Sequence, residues 1–236
     1  MIRNGVELPT MTIWIIFGVF MLLSWLVGNQ LKHKFKKFSK IPVENGMSGH
    51  DVALKMLLDN GITGVQVLST EGSLTDHYNP VNRTVNLSRA VYEGRNIAAA
   101  AIAAHECGHA VQHATAYNWL TMRSTLVPIV SFSSKWVQWV LLAGILFLQS
   151  FPQLLLIGIV LFALTTLFSF ITLPVEIDAS RRALAWLNIS GVSNSRTHPF
   201  AQEALRWAAY TYVIAALASL ATLLYYVAIF VGGNRD

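Results

Sequence analysis

Hydrophobic and polar positions along the chain separate into long uncharged stretches and shorter mixed ones. Leu8 to Leu31, Trp136 to Leu173 and Trp207 to Gly233 contain no Asp, Glu, Lys or Arg. Each is long enough for a bilayer core, which takes about 20 apolar residues to cross, and the middle one has room for two crossings. Ser150, Pro152 and Gln153 mark a tight turn within it. Four spans are therefore predicted, at about 10–29, 128–149, 154–173 and 208–231. The first reads as a span and not a removable signal peptide, because its apolar core is too long and no small-residue cleavage site precedes the basic run. Lys135 leaves two readings of the second span. Either the charge lies well inside it, or the span starts at Trp136, Lys135 snorkels to the interface, and Leu120 to Ser134 forms an interfacial helix.

The mixed stretch from Lys32 to Arg123 is the one segment large enough for a soluble subdomain, and its pattern predicts helix, strand pair, helix. Ser48 caps a helix through Asp59 that Asn60 and Gly61 close. Val65 to Ser69 alternates as a strand does, Glu71 and Gly72 turn, and Thr84 to Leu87 returns as a second strand. Asn96 then offers an N-cap to an alanine-rich helix from Ile97 to about Ala116, a composition of high helix propensity.

Composition agrees with the spans. Of 236 residues, 54% are hydrophobic and only 12% charged, against about 25% charged in an ordinary soluble domain. The net charge of +5 is placed for a membrane rather than for nucleic acid. Lys32, Lys34, Lys36, Lys37 and Lys40 directly follow the first span, and Arg181, Arg182, Arg196 and Arg206 precede the last. By the positive-inside rule both loops face the cytoplasm. The single cysteine, Cys107, excludes an intrachain disulfide and suits a reducing face.

The alanine-rich helix carries the chemistry. His105-Glu106-Cys107-Gly108-His109 is an H-E-x-x-H motif, in which histidines at i and i+4 stack on one face and reach one zinc ion. Zinc lowers the pKa of a bound water to about 7, and Glu106 is the general base that takes its proton and passes it to the leaving amine. Gly108 and the alanines keep the helix slim enough for other elements to approach. A catalytic zinc needs a third protein ligand. Position 115, where a third histidine follows in the longer motif, is Thr115, and His113 cannot close around the same ion from the same helix. The favoured candidate is Glu176, which two membrane crossings return to the same side. Ser180, one turn on, is placed to bond a metal ligand. Asp178 is the rival, about 200° around the helix from Glu176, so the two cannot share the ion. Cys107 is likewise turned away from His105. For stabilising an oxyanion the candidates are His77, Tyr78, Arg181 and Arg123.

These residues carry a resemblance. Leu74-Thr75-Asp76-His77-Tyr78, the run from Ala104 to His113, and the run from Leu173 to Arg182 resemble the YugP-type neutral zinc metallopeptidases of bacterial membranes over nearly the whole chain. More distantly they are similar to the HtpX and CAAX prenyl protease groups, in which a Glu opening a Glu-x-x-x-Asp turn supplies the third ligand. Carried over, that Glu is Glu176, and Ser180 stands where those groups have Asp. The resemblance implies a peptidase of the bacterial inner membrane and names no substrate.

The sequence thus predicts a mainly α, polytopic membrane protein with about four transmembrane helices and a small α+β zincin-like cytoplasmic subdomain. Its predicted segments are a first span (1–31), a cytoplasmic subdomain (32–125), a transmembrane hairpin (126–173), a cytoplasmic helix with the third ligand (174–207), and a last span with its tail (208–236). The expected activity is zinc-dependent endopeptidase cleavage, with one catalytic zinc, of polypeptides in or near the membrane. Membrane lipid is an expected partner and nucleic acid is not. The competing class is a non-catalytic, zinc-stabilised scaffold or chaperone. That class has no use for a base beside the histidines. A transporter is disfavoured because the spans are nearly free of charge.

Overall fold

The computed structural model describes residues 11–233. The start of the predicted first span, and the terminal residues 1–10 and 234–236 of the predicted segments, lie outside the described residues. The elements are α1 (Met11–Phe38), α2 (Gly49–Asp59), β1 (Gln66–Thr70), β2 (His77–Asn79), β3 (Thr84–Ser88), α3 (Arg89–Tyr92), α4 (Ile97–Ala114), α5 (Asn118–Leu146), α6 (Pro152–Ile189) and α7 (His198–Gly233). The protein is mainly helical, and α1, α5, α6 and α7 are each long and apolar enough to cross a membrane.

The chain forms two compact units. The described part of the first comprises 11–26, Met122–Thr172 and 212–233. Its core pairs Val137 and Leu141 of α5 with Leu155 and Ile159 of α6. A Cβ at Gly144 would lie 2.5 Å from Leu155 Cα, so glycine is what lets these two backbones meet. Small residues serve this purpose where lipid supplies no hydrophobic drive between helices.

The second unit comprises Val27–Thr121 and Leu173–Thr211, and α4 is its axis. Ala98 to Ala101, Ala103 and Ala104 are buried. Their short side chains let α2 (Val52, Ala53, Met56), the sheet (Val85, Leu87), α6 (Ala183, Leu187) and α7 (Ala201, Leu205) join one core. Phe38, Leu87, Ile97 and Leu187 are fully buried there, each stabilising by about 1.5–3 kcal/mol. Both predicted caps form. Asn96 accepts the Ala99 N–H at 3.0 Å, and Ser48 makes a reciprocal capping box with Asp51. The Trp186 indole donates to Asp59 at 3.0 Å, tying α6 to α2.

Several elements differ from the sequence prediction. The strand pair is a three-stranded mixed sheet of order β1-β3-β2, with β1 parallel to β3 and β2 antiparallel to it. Three residues are too few for β2 to declare an alternating pattern. Asp76 fixes it in place by accepting the Ser88 N–H at 2.7 Å at the end of β3. Leu120 to Ser134 is not a separate interfacial helix, since α5 is continuous from Asn118 through Lys135 to Leu146. The predicted cytoplasmic helix starting at 174 is not separated from the span before it: α6 runs through Pro174 to Ile189, and one missing N–H is a tolerable loss within a long helix. The predicted edges at Leu31 and Leu173 thus fall inside unbroken helices, as does residue 208 inside α7.

Candidate metal centre

Helix α4 presents three faces to three neighbours. Cys107 faces α2, fully buried, with Sγ 3.5 Å from the Ala53 carbonyl. Burial, reinforced by the charge of Glu106, pushes its thiol well above the ordinary cysteine range, so it is neither a ligand nor a reactive group here. Glu106, Ala110 and His113, spaced i, i+4 and i+7, face β2. The Tyr78 N–H donates to Glu106 Oε2 at 3.0 Å, and the Tyr78 hydroxyl lies 2.8 Å from His113 Nδ1.

His105, Gly108, His109 and Gln112 face the Leu173–Ile189 part of α6, which belongs to the same unit. A Cβ at Gly108 would stand 2.6 Å from the Ala179 carbonyl oxygen, so the two backbones approach closely at the middle of the motif. On α6 the residues either side of that contact are Glu176 and Ser180. His105 Nε2 and His109 Nε2 lie 3.3 and 3.5 Å from the same oxygen, Glu176 Oε2. The ligand atoms of all three residues lie within 4.8 Å of one another. The imidazole rings are nearly perpendicular, with centroids 4.8 Å apart.

A chain of hydrogen bonds sets the state of these donors. The Val175 carbonyl can only accept, so the Gln112 amide atom 2.8 Å from it is the nitrogen, which also donates to Asp178 Oδ2 at 2.9 Å. Gln112 Oε1 is thereby left 3.0 Å from His109 Nδ1. An amide oxygen accepts, so Nδ1 carries the proton and the Nε2 lone pair points at Glu176. Ser180 Oγ stands 3.1 Å from His105 Nδ1 and can accept from it in the same sense. With both imidazoles neutral and so oriented, two lone pairs converge on one carboxylate oxygen. That donor set calls for a cation, and two His with one Glu is a set that zinc takes in catalytic sites. Without a metal the site answers with a proton: burial opposes it, but the Glu176 carboxylate, together with the Glu106 charge and the Gln112 acceptor, outweighs burial and raises the His109 imidazole above its ordinary value.

Asp178 does not turn toward the histidines. It accepts from Arg182 Nε at 2.6 Å as well as from Gln112, and the Arg182 guanidinium lies over the Tyr117 ring, 5.6 Å from its centroid. His77 is exposed, with Nδ1 2.8 Å from the Thr75 carbonyl in its own turn. Arg181 lines a groove between α6 and α7. The sequence reading assigned nothing to Gln112, although its spacing from His105 and His109 put it on their face. The Tyr78 backbone contact had no sequence signal, since it depends on where β2 lies.

A family model described as "Putative neutral zinc metallopeptidase" matches residues 13–231. The chain belongs to this family. It is also 41% identical over 214 residues to a Bacillus subtilis (strain 168) protein described as "Putative membrane protease YugP", covering 91% of this chain and 94% of that relative. No solved structure matches the chain at a significant level.

Proposed function

We propose that the chain is a membrane-embedded zinc endopeptidase in which His105, His109 and Glu176 hold one zinc ion and Glu106 is the general base. The observation that carries this reading is the convergence of those three ligands on one point, with Glu106 next to His105 in the motif and clamped by the Tyr78 N–H. When bound, zinc supplies a Lewis acid that acidifies a water molecule and polarises the scissile carbonyl. Glu106 Oε2 is fixed by one backbone donor, and the carboxylate is free to take the proton of the attacking water and deliver it to the leaving amine nitrogen. Gln112 and Ser180 hold the two imidazoles in the tautomer that frees their Nε2 atoms. Strand β2 lies at the sheet edge beside Glu106, where an extended polypeptide can be aligned through its backbone.

The placement of basic residues after the first span and before the last supports a site on the cytoplasmic face of a bacterial inner membrane. Glu176 follows the uncharged stretch by three residues, so the site belongs at the membrane surface, and its substrates are membrane-associated or membrane-proximal polypeptides. The soluble segments 32–125 and 174–207 would then build the site, with 1–31, 126–173 and 208–236 as its anchors.

The test is metal content and casein cleavage by the purified full-length protein in detergent. One zinc per chain, cleavage abolished by chelation and restored by zinc, loss of metal in Glu176→Ala and its retention in Asp178→Ala are expected. Stoichiometric zinc without cleavage of casein or of membrane-protein substrates would favour the scaffold. Metal loss in Asp178→Ala with retention in Glu176→Ala overturns the third ligand.

A further inference from the structure

A groove of about 500 Å³ separates residues 177–188 of α6 from residues 198–209 of α7, within the second unit. Its lining combines two guanidiniums, Arg181 and Arg206, with Ile177, Leu184, Leu205 and Ala209, and among the described residues includes no carboxylate. The acids nearest in sequence are engaged elsewhere. Asp178 pairs with Arg182 at 2.6 Å, and Glu203 pairs first with Lys34 at 2.7 Å, the Arg206 charge acting on it more weakly and without an ion-pair contact. Among the described residues neither Arg181 nor Arg206 forms an ion pair.

The polarity of the groove is graded along its length. Asn188 and His198 lie at the end nearest the α6–α7 connection. Ile177 and Ala209 lie at the end where both helices continue into the uncharged residues 154–173 and 212–233. Ile177 is 46% exposed, and Arg181 follows it by one turn. An apolar wall at the membrane end with two arginines one turn beyond it matches a molecule with an anionic phosphodiester and acyl chains. Planar guanidiniums bind phosphate oxygens in pairs, and basic pockets between helix ends at a membrane face hold anionic headgroups.

We propose that this groove is a binding site for one anionic phospholipid, its phosphate held by Arg181 and Arg206 and its acyl chains along Ile177 and Ala209. The site adjoins the metal centre. Ser180 lines the groove and also bonds His105 Nδ1 at 3.1 Å, so a bound lipid braces the turn of α6 that orients a metal-facing histidine. The proposal does not depend on peptidase activity, because it is read by lipid retention.

The experiment is native mass spectrometry of the full-length protein in detergent, titrated separately with phosphatidylglycerol, phosphatidylcholine, inorganic phosphate and an Asp/Glu-rich peptide. Retention of one phosphatidylglycerol in preference to phosphatidylcholine is expected, with neither phosphate nor the peptide displacing it. The double variant Arg181→Gln with Arg206→Gln should weaken retention roughly 30-fold, from the usual contribution of two basic residues near a lipid surface. Its far-UV circular dichroism and monodispersity in detergent should match wild type, which shows that the fold is intact. A control, Lys36→Gln with Lys37→Gln in the basic run of α1, should keep the tight lipid. Equal retention by the arginine double variant, or equal loss in the lysine control, overturns the site. So does equal binding of phosphatidylcholine. Displacement by phosphate alone would identify a free-anion site, and displacement by the peptide a polypeptide groove; either result overturns the lipid assignment.

Discussion

Adding one methyl group at Gly108 is expected to damage the metal centre while leaving most of the fold standing. Its Cβ would meet the Ala179 carbonyl oxygen at 2.6 Å and the Ala179 carbonyl carbon and Cα at 3.1 Å, whereas ordinary contact begins near 3.4 Å. The neighbour is backbone, so no rotamer change can relieve the clash, and α4 and α6 must part by about 0.8 Å. Overpacking of this kind costs about 1–3 kcal/mol. Alanine recovers about 1 kcal/mol of that through helix propensity, so the metal-free protein should lose no more than a few degrees of thermal midpoint. Zinc ligands tolerate errors of only about 0.2 Å, and Glu176 and Ser180 flank the displaced residue. Zinc affinity should therefore fall about 10- to 100-fold, the range seen when supporting contacts are lost. Competition with a graded series of chelators measures this in Gly108→Ala against wild type. Wild-type zinc affinity in the variant would refute the inference that close α4–α6 contact sets the ligand geometry.

The remaining predictions concern the groups around the ligands. Gln112→Met keeps the volume but removes the acceptor on His109 Nδ1, so zinc affinity should drop about 10- to 100-fold, as read by the same chelator series; no change would mean that the tautomer is set elsewhere. Cys107 should resist thiol-specific alkylation in the folded protein and react only on denaturation, because it is fully buried and its pKa is raised; mass spectrometry of the labelled protein decides. Zinc uptake should release a proton from His109. Its pKa is raised in the metal-free site, so protons compete for the imidazole below that raised value, and zinc affinity should start to fall at a pH above the ordinary imidazole pKa. Zinc titrations across pH test this, and affinity that is flat down to the ordinary value would contradict it.

The four apolar helices were legible in the sequence because lipid imposes a simple rule on composition, and the long uncharged stretches obey it. The caps at Ser48 and Asn96 were legible because they use local hydrogen bonds. Strand β2 was not, since three residues hold no period and its place is set by a distant pairing with β3 and by Asp76. The continuity of α6 through Pro174 was hidden because proline more often ends a helix than sits inside one. At the site, His105, Glu106 and His109 announced themselves by spacing along one helix. Glu176 required a topological step, the return of the chain through a hairpin. The Gln112 bridge to Val175 and Asp178, and the Tyr78 N–H on Glu106, join elements remote in sequence. Neither leaves a signature in the residues themselves.

Glu106→Gln tests the proposed chemistry most directly, because it removes the base while keeping its size and one acceptor for the Tyr78 N–H. Zinc content and casein cleavage should be measured on the same preparation. Zinc at the wild-type stoichiometry with cleavage reduced about 10²- to 10⁴-fold is expected; zinc retained with cleavage unchanged would show that Glu106 is not the base.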